Sequence, residues 1–178
     1  MTPSILVVCS YNQVRSVMAQ LLLQRALHDE GRRAVVRSAG FAAGGRPAMP
    51  EAIRAMRNER LDATGHISTQ VDADMVQAAD LVLTAERLHV IRLVEDDGAL
   101  FKKVFTLPEF ANLAAIAGAR GDRTMAEWLT AVGAGRTHAT FLAAPTPEVD
   151  DPTGMAPAMF TATATRLDAW CRTIAALL

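Results

Sequence analysis

Four short aliphatic runs punctuate the chain, each with a helical pattern behind it, and no other feature narrows the choice of fold so far. Ile5-Leu6-Val7-Val8 comes first. Such an uninterrupted run suits a central parallel strand covered on both faces. Val17, Leu21, Leu22 and Leu27 then recur at helical spacing, with Ser16 as the cap and Gly31 as the stop. Ala34-Val35-Val36-Arg37 reads as a second strand, followed by Ser38-Ala39-Gly40 and an extended loop from Phe41 to Pro50. A helix from Glu51 to about Arg60 presents Ile53, Met56 and Leu61 on one side. A short helix around Asp74 to Ala79 leads into the third strand, Leu81-Val82-Leu83-Thr84, and another follows through Val94. Lys103-Val104-Phe105-Thr106 is the fourth strand, after which Pro108 opens a helix carrying Phe110, Leu113 and Ile116. The Gly- and Ala-rich tract from Gly118 to Ala144 holds one helix, Met125 to Val132, and Ala158 to Leu178 closes the chain with Phe160, Leu167, Trp170, Ile174 and Leu177 in its apolar stripe. Strands alternating with helices predict an α/β fold, a doubly wound four-stranded parallel sheet flanked by helices in three layers. One domain is expected over residues 1–178, with an insertion at about 118–147.

With 178 residues and 51% hydrophobic types, the chain can hold a core without disulfide or metal. Eighteen Lys and Arg against 19 Asp and Glu, with no polybasic run, argue against nucleic acid or an anionic membrane as partner. Apolar runs stay far below the roughly 20 residues of a membrane span. Met1 to Ser4 carries no basic side chain, so the start does not read as a secretory signal. Cys9 and Cys171 read as reduced thiols, and a cytoplasmic location is expected.

The stretch from Ile5 to Ser16 carries the chemistry. Cys9 stands at the carboxyl end of a buried strand and Arg15 six positions later, at a helix start. Open α/β sheets bind ligands at that edge. The short loop between them can turn successive N–H groups inward as a nest for a tetrahedral anion, reinforced by the positive end of the helix dipole. The same field favours a thiolate at Cys9. Arg15 can hold two equatorial oxygens of a phosphoryl group with its planar fork. The bland reading is that Cys9 is a small buried hydrophobe and Arg15 a solvated first-turn residue. An acid for the leaving oxygen is available in Glu148-Val149-Asp150-Asp151-Pro152, where either aspartate could instead anchor the last helix.

Cys9-Ser10-Tyr11-Asn12-Gln13-Val14-Arg15-Ser16 resembles the Cys-x-Gly-Asn-x-Cys-Arg-Ser loop of the low-molecular-weight protein tyrosine phosphatases, to which arsenate reductases of similar fold are related. Met18-Ala19, Ser38-Ala39-Gly40, Gly65-His66, Ala79 to Leu83, Val104 to Phe110 and Asp151-Pro152 resemble further family landmarks in order, and only Gly118 to about Pro147 matches poorly. The resemblance implies that Cys9 attacks phosphorus, a phosphocysteine forms, and water releases phosphate, with Asp151 as acid and then base. It makes Arg15 and the loop from Ser10 through Tyr11, Asn12, Gln13 and Val14 the phosphate cradle. Ser16 would hydrogen-bond the Cys9 sulfur, and Asn12, Ser16, Ser38 and His66 would brace the loop. No metal and no cofactor are implied. The implied substrate is a phosphorylated protein, phosphotyrosine first, or a small phosphate monoester. A catalytically impaired phosphate-binding module and an arsenate reductase using an external thiol are the alternatives.

Three positions depart from the family pattern. Tyr11 stands where the family has a loop glycine, a place that can demand positive φ or close approach to the anion. Val14 replaces the second loop cysteine, which in many members pairs reversibly with the nucleophile. Thr153 follows Pro152 where an aromatic residue commonly flanks the substrate ring, so an aromatic wall would have to come from Phe41 or Tyr11.

Overall fold

The computed structural model describes residues 2–178. Strands β1 (Ser4–Cys9), β2 (Val35–Gly40), β3 (Leu81–Thr84) and β4 (Val104–Thr106) form one parallel sheet in the order β2-β1-β3-β4. The helices are α1 (Arg15–Asp29), α2 (Pro50–Asn58), α3 (Ala73–Ala78), α4 (Arg87–Val94), α5 (Leu107–Ala117), α6 (Met125–Val132), α7 (His138–Ala143) and α8 (Pro157–Leu177), with a 3-10 turn at Gly98–Lys102. None is long and apolar enough to cross a membrane.

The strand pleat divides the core in two, because alternate side chains leave a sheet on opposite faces. Ile5, Val7, Leu81, Leu83 and Phe105 face α1, α2, α5, α6 and α8, where Leu22, Met56, Phe110, Trp128 and Phe160 fill the layer. Leu6, Val8, Val82 and Val104 face α3, α4 and α7, meeting Val76, Val90 and Phe141. The three-layer sandwich is therefore the one the alternating pattern demands.

Several boundaries differ from the sequence reading, each for a physical reason. Ser38-Ala39-Gly40 belongs to β2 and not to the loop, because β1 continues to Cys9 and pairs with it residue for residue. Ser16 does not cap α1: the cap position is Val14, with no side-chain bond, and the Ser16 hydroxyl is spent on Cys9 and Asn12. Helix α2 stops at Asn58, and Leu61 sits beyond it, its N–H reaching back to the Met56 carbonyl after Arg60 takes a left-handed φ of 60°. Ile116 lies on the solvent side of α5, 84% exposed. Helix α7 was not expected; its start is a capping box built from Thr137 and Thr140, whose side chains each meet the other's backbone N–H.

The tract expected as a poorly matching insertion wraps the outer edge of β4. Helix α6 packs on one face and α7 on the other, and Arg136, between them, donates to the carbonyls of Phe101 (2.6 Å) and Val104 (2.9 Å). Its guanidinium pairs with Glu109 and stacks over the rings of Phe101, Phe105 and Phe141. An edge strand's unpaired carbonyl is thereby capped and sealed from further strand pairing.

Candidate active site

The site lies at the carboxyl ends of β1, β2 and β3, on the loop from Ser10 to Val14. Its shape follows from two adjacent backbone facts. Asn12 adopts φ 52°, a left-handed conformation that asparagine tolerates better than most residues. Gly40, paired with Cys9, lies so close beneath that a Cβ there would meet the Asn12 nitrogen at 2.6 Å and the Tyr11 carbonyl carbon at 2.8 Å. Tyr11 does not need the positive φ; the turn is made one residue later, and its phenol points outward, 61% exposed.

Within the loop, the buried Asn12 organises the surroundings of Cys9. Its backbone N–H donates to Cys9 Sγ (3.2 Å), and its side-chain amide donates to Ser16 Oγ (2.9 Å) and Ser38 Oγ (2.9 Å). Since Ser16 Oγ accepts from Asn12, its own proton is free to donate to Cys9 Sγ at 3.1 Å. Asn12 Oδ1 accepts from the Thr69 N–H (2.9 Å), its carbonyl meets His66 Nε2 (2.7 Å), and Ser38 passes a hydrogen bond on to Gln20 (2.6 Å). The four expected bracing residues are thus in one connected network, extended by Thr69 and Gln20, which the sequence did not single out. Gln13 ties the loop to the following segment through the Pro47 carbonyl, and Val14 is buried in the core beside Cys9.

Among the described residues, the amides of Tyr11, Gln13 and Val14 donate to no protein acceptor, and the first amides of α1 follow them. Unspent donors at a helix start are the makings of an anion nest.

Arg15 is buried and held by four groups. Its Nη1 meets Glu86 Oε1 and the Val149 carbonyl (3.2 Å), while Nη2 meets Asp151 Oδ2 (2.9 Å) and Ser10 Oγ (3.4 Å). Neither aspartate anchors the last helix, which begins at Pro157 with Ala156 as cap. Asp150 turns away to an exposed pair with Arg166, leaving Asp151 as the carboxylate at the mouth. Asp151 Oδ1 is steadied by the N–H (3.0 Å) and hydroxyl (2.7 Å) of Thr153. Phe41 is committed elsewhere, tilted against His89 at 5.2 Å and covered by Arg92 at 4.5 Å.

Glu86 and His89 were missed by sequence reasoning. Their signal was positional: Glu86 follows Thr84-Ala85 at the carboxyl end of β3, the strand beside β1, and so reaches the same edge. His89 packs into the site from the first turn of α4, and burial drives it down to about 4, against the pull of Glu86. Cys171 lies in the core of α8 against the Ala19 carbonyl, its thiol pushed up by burial. Among the described residues, no group of three His, Cys, Asp or Glu gathers where it could hold a metal ion.

The model of the low molecular weight phosphotyrosine protein phosphatase family matches residues 4–119. The chain belongs to that family. The match spans the whole loop and its bracing network and ends where the edge-covering tract begins. The chain is 34% identical over 119 residues to a protein-arginine-phosphatase of Bacillus subtilis (strain 168), covering 66% of this chain and 75% of that protein. It is 41% identical over 110 residues to the low molecular weight protein-tyrosine-phosphatase Wzb of Escherichia coli (strain K12), covering 61% and 72%. Among solved structures it superposes with TM-score 0.75 on a YwlE arginine phosphatase, a cysteine-to-serine mutant with phosphorylated active site serine, at 25% identity over 97% of this chain and 93% of that one.

Proposed function

We propose that this phosphatase-family chain hydrolyses phosphate monoesters, with protein phosphotyrosine as the substrate class, through a phosphocysteine on Cys9. The observation that carries the reading is the Cys9 sulfur, held by the Ser16 hydroxyl and the Asn12 N–H, in a loop whose remaining amides are unspent. In the first step a sulfur–phosphorus bond forms as the ester P–O bond breaks, and Asp151 protonates the leaving oxygen. In the second, water attacks phosphorus, Asp151 takes its proton, and the thiolate departs as inorganic phosphate is released. Hydrogen bonds from Ser16 and Asn12 to sulfur stabilise the charge that gathers there as it leaves. Arg15 exchanges its contact with Asp151 for phosphoryl oxygens, freeing the carboxyl for proton transfer, while Glu86 keeps hold of the other guanidinium nitrogen.

Phosphoarginine is the second reading, favoured by the likeness to the Bacillus subtilis arginine phosphatase. Arsenate reduction by an internal thiol relay is poorly served, since Cys171 is sealed in the core and valine fills position 14. The outward phenol of Tyr11, 61% exposed, supports an open loop.

An aryl phosphate assay of wild type, Cys9→Ser and Asp151→Asn tests the reading, beside phosphotyrosine and phosphoarginine peptides. Cys9→Ser should lose turnover by at least about 10³-fold, and Asp151→Asn by about 10²- to 10⁴-fold. Wild-type turnover no greater than that of Cys9→Ser sinks the proposal.

A further inference from the structure

The family loop pattern leaves the residue type after the cysteine open, and here the Ser10 side chain reaches into the site. Its Oγ lies 3.1 Å from His89 Nε2 and 3.4 Å from Arg15 Nη2. His89 Nδ1 receives the backbone N–H of Glu86 at 3.2 Å, and a peptide N–H can only donate. Nδ1 is therefore bare, and the proton of the neutral ring sits on Nε2, from which it is donated to Ser10. Arg15 has no acceptor to offer, so it donates as well. Both lone pairs of Ser10 Oγ are thus engaged, and its own O–H proton is left to point at a third group. The same Arg15 Nη2 also holds Asp151 Oδ2 at 2.9 Å, so an oxygen replacing Asp151 on that nitrogen arrives beside the Ser10 hydroxyl.

We propose that Ser10 is a hydrogen-bond donor to the transferring phosphoryl group, sharing an oxygen with Arg15 Nη2, and that His89 is the positioning residue that fixes its direction. The inference rests on the phosphatase reading of the site. His89 is suited to the task because it is only 3% exposed and packed against the Phe41 ring. The groups that face it are Glu86, Arg15, Arg92 and Asp151, and burial prevails among them, keeping the ring neutral above about pH 4.

The test compares Ser10→Ala, Ser10→Thr and His89→Leu in turnover of an aryl phosphate and, separately, in the affinity of Cys9→Ser proteins for inorganic phosphate. Ser10→Ala should lower kcat and kcat/KM together by about tenfold or more, as loss of one oxyanion donor does. Ser10→Thr, which keeps the hydroxyl, should recover most of that. His89→Leu should act in the same direction, and less than additively with Ser10→Ala. Phosphate affinity should fall in the Ser10→Ala protein whether or not any aryl phosphate is turned over, so the inference can be judged apart from the catalytic reading. Ser10→Ala within about twofold of its parent in phosphate affinity, or Ser10→Thr as damaged as Ser10→Ala, overturns it.

Discussion

The carboxyl ends of β1 and β2 and the free side of β4 pose the same problem, backbone polar groups at a margin of the sheet, and the chain closes them in opposite ways. At β4 the outward carbonyl is taken up: a single side chain, Arg136, spends its donors on Glu109 and the Phe101 and Val104 carbonyls and stacks on three rings. At β1 the side chains of Asn12, Ser16, Ser38 and His66 are satisfied, while a row of loop amides is kept back and Arg15 is held by Glu86 and by the half-exposed Asp151. Stability accumulates where partners are saturated, and chemistry is possible where donors are held in place but not spent.

Removing Arg136 gives the sharpest contrast. Arg136→Ala leaves Glu109 and two carbonyls without their partner and should cost about 3–5 kcal/mol in denaturant unfolding, the scale of a broken buried pair. Aryl phosphate turnover of the remaining folded fraction should be near wild type. A protein as stable as its parent would mean the edge is closed by the aromatic contacts alone.

His89 brings pH dependence to the other region. Its folded value of about 4 lies below its ordinary 6.5, so between those values the unfolded chain binds the extra proton. Stability from this group is present above pH 6.5 and is lost as pH falls toward 4, by about 3 kcal/mol in all. Unfolding curves of wild type and His89→Leu across that window measure it; equal acid sensitivity in the two would refute the assignment.

Gly40→Ala should follow, at about 1–3 kcal/mol, because the new methyl must push backbone. Here turnover should fall by more than the stability loss implies, since what moves is the loop that holds Cys9. The smallest effect is expected for Tyr11→Gly: with the phenol in solvent, stability should change by no more than about 1 kcal/mol. A large gain in turnover would show that the ring does obstruct the cradle.

Much of this was legible in order of residues. Cys9 and Arg15 could be named because a strand, a short loop and a helix bring a thiol and a guanidinium to one sheet edge, and Asn12, Ser16, Ser38, His66 and Asp151 because they match a family pattern. Glu86 and His89 could not, since their role depends on β3 lying beside β1, a neighbour relation between segments some 75 residues apart that no local pattern carries. Helix α7 was hidden in an alanine-rich stretch whose period is too short to stand out, and it is held by what it covers.

Alternation of aliphatic runs with helical periods determined the parallel sheet and its two buried faces, because only that arrangement buries both sides of every strand. The tertiary structure alone decided which carboxylate meets Arg15, which way the Ser10 hydroxyl turns, and what seals the β4 edge. Those outcomes depend on distances of a few ångströms between residues far apart in the chain, and hydrogen bonding, unlike hydrophobic burial, is decided at that range.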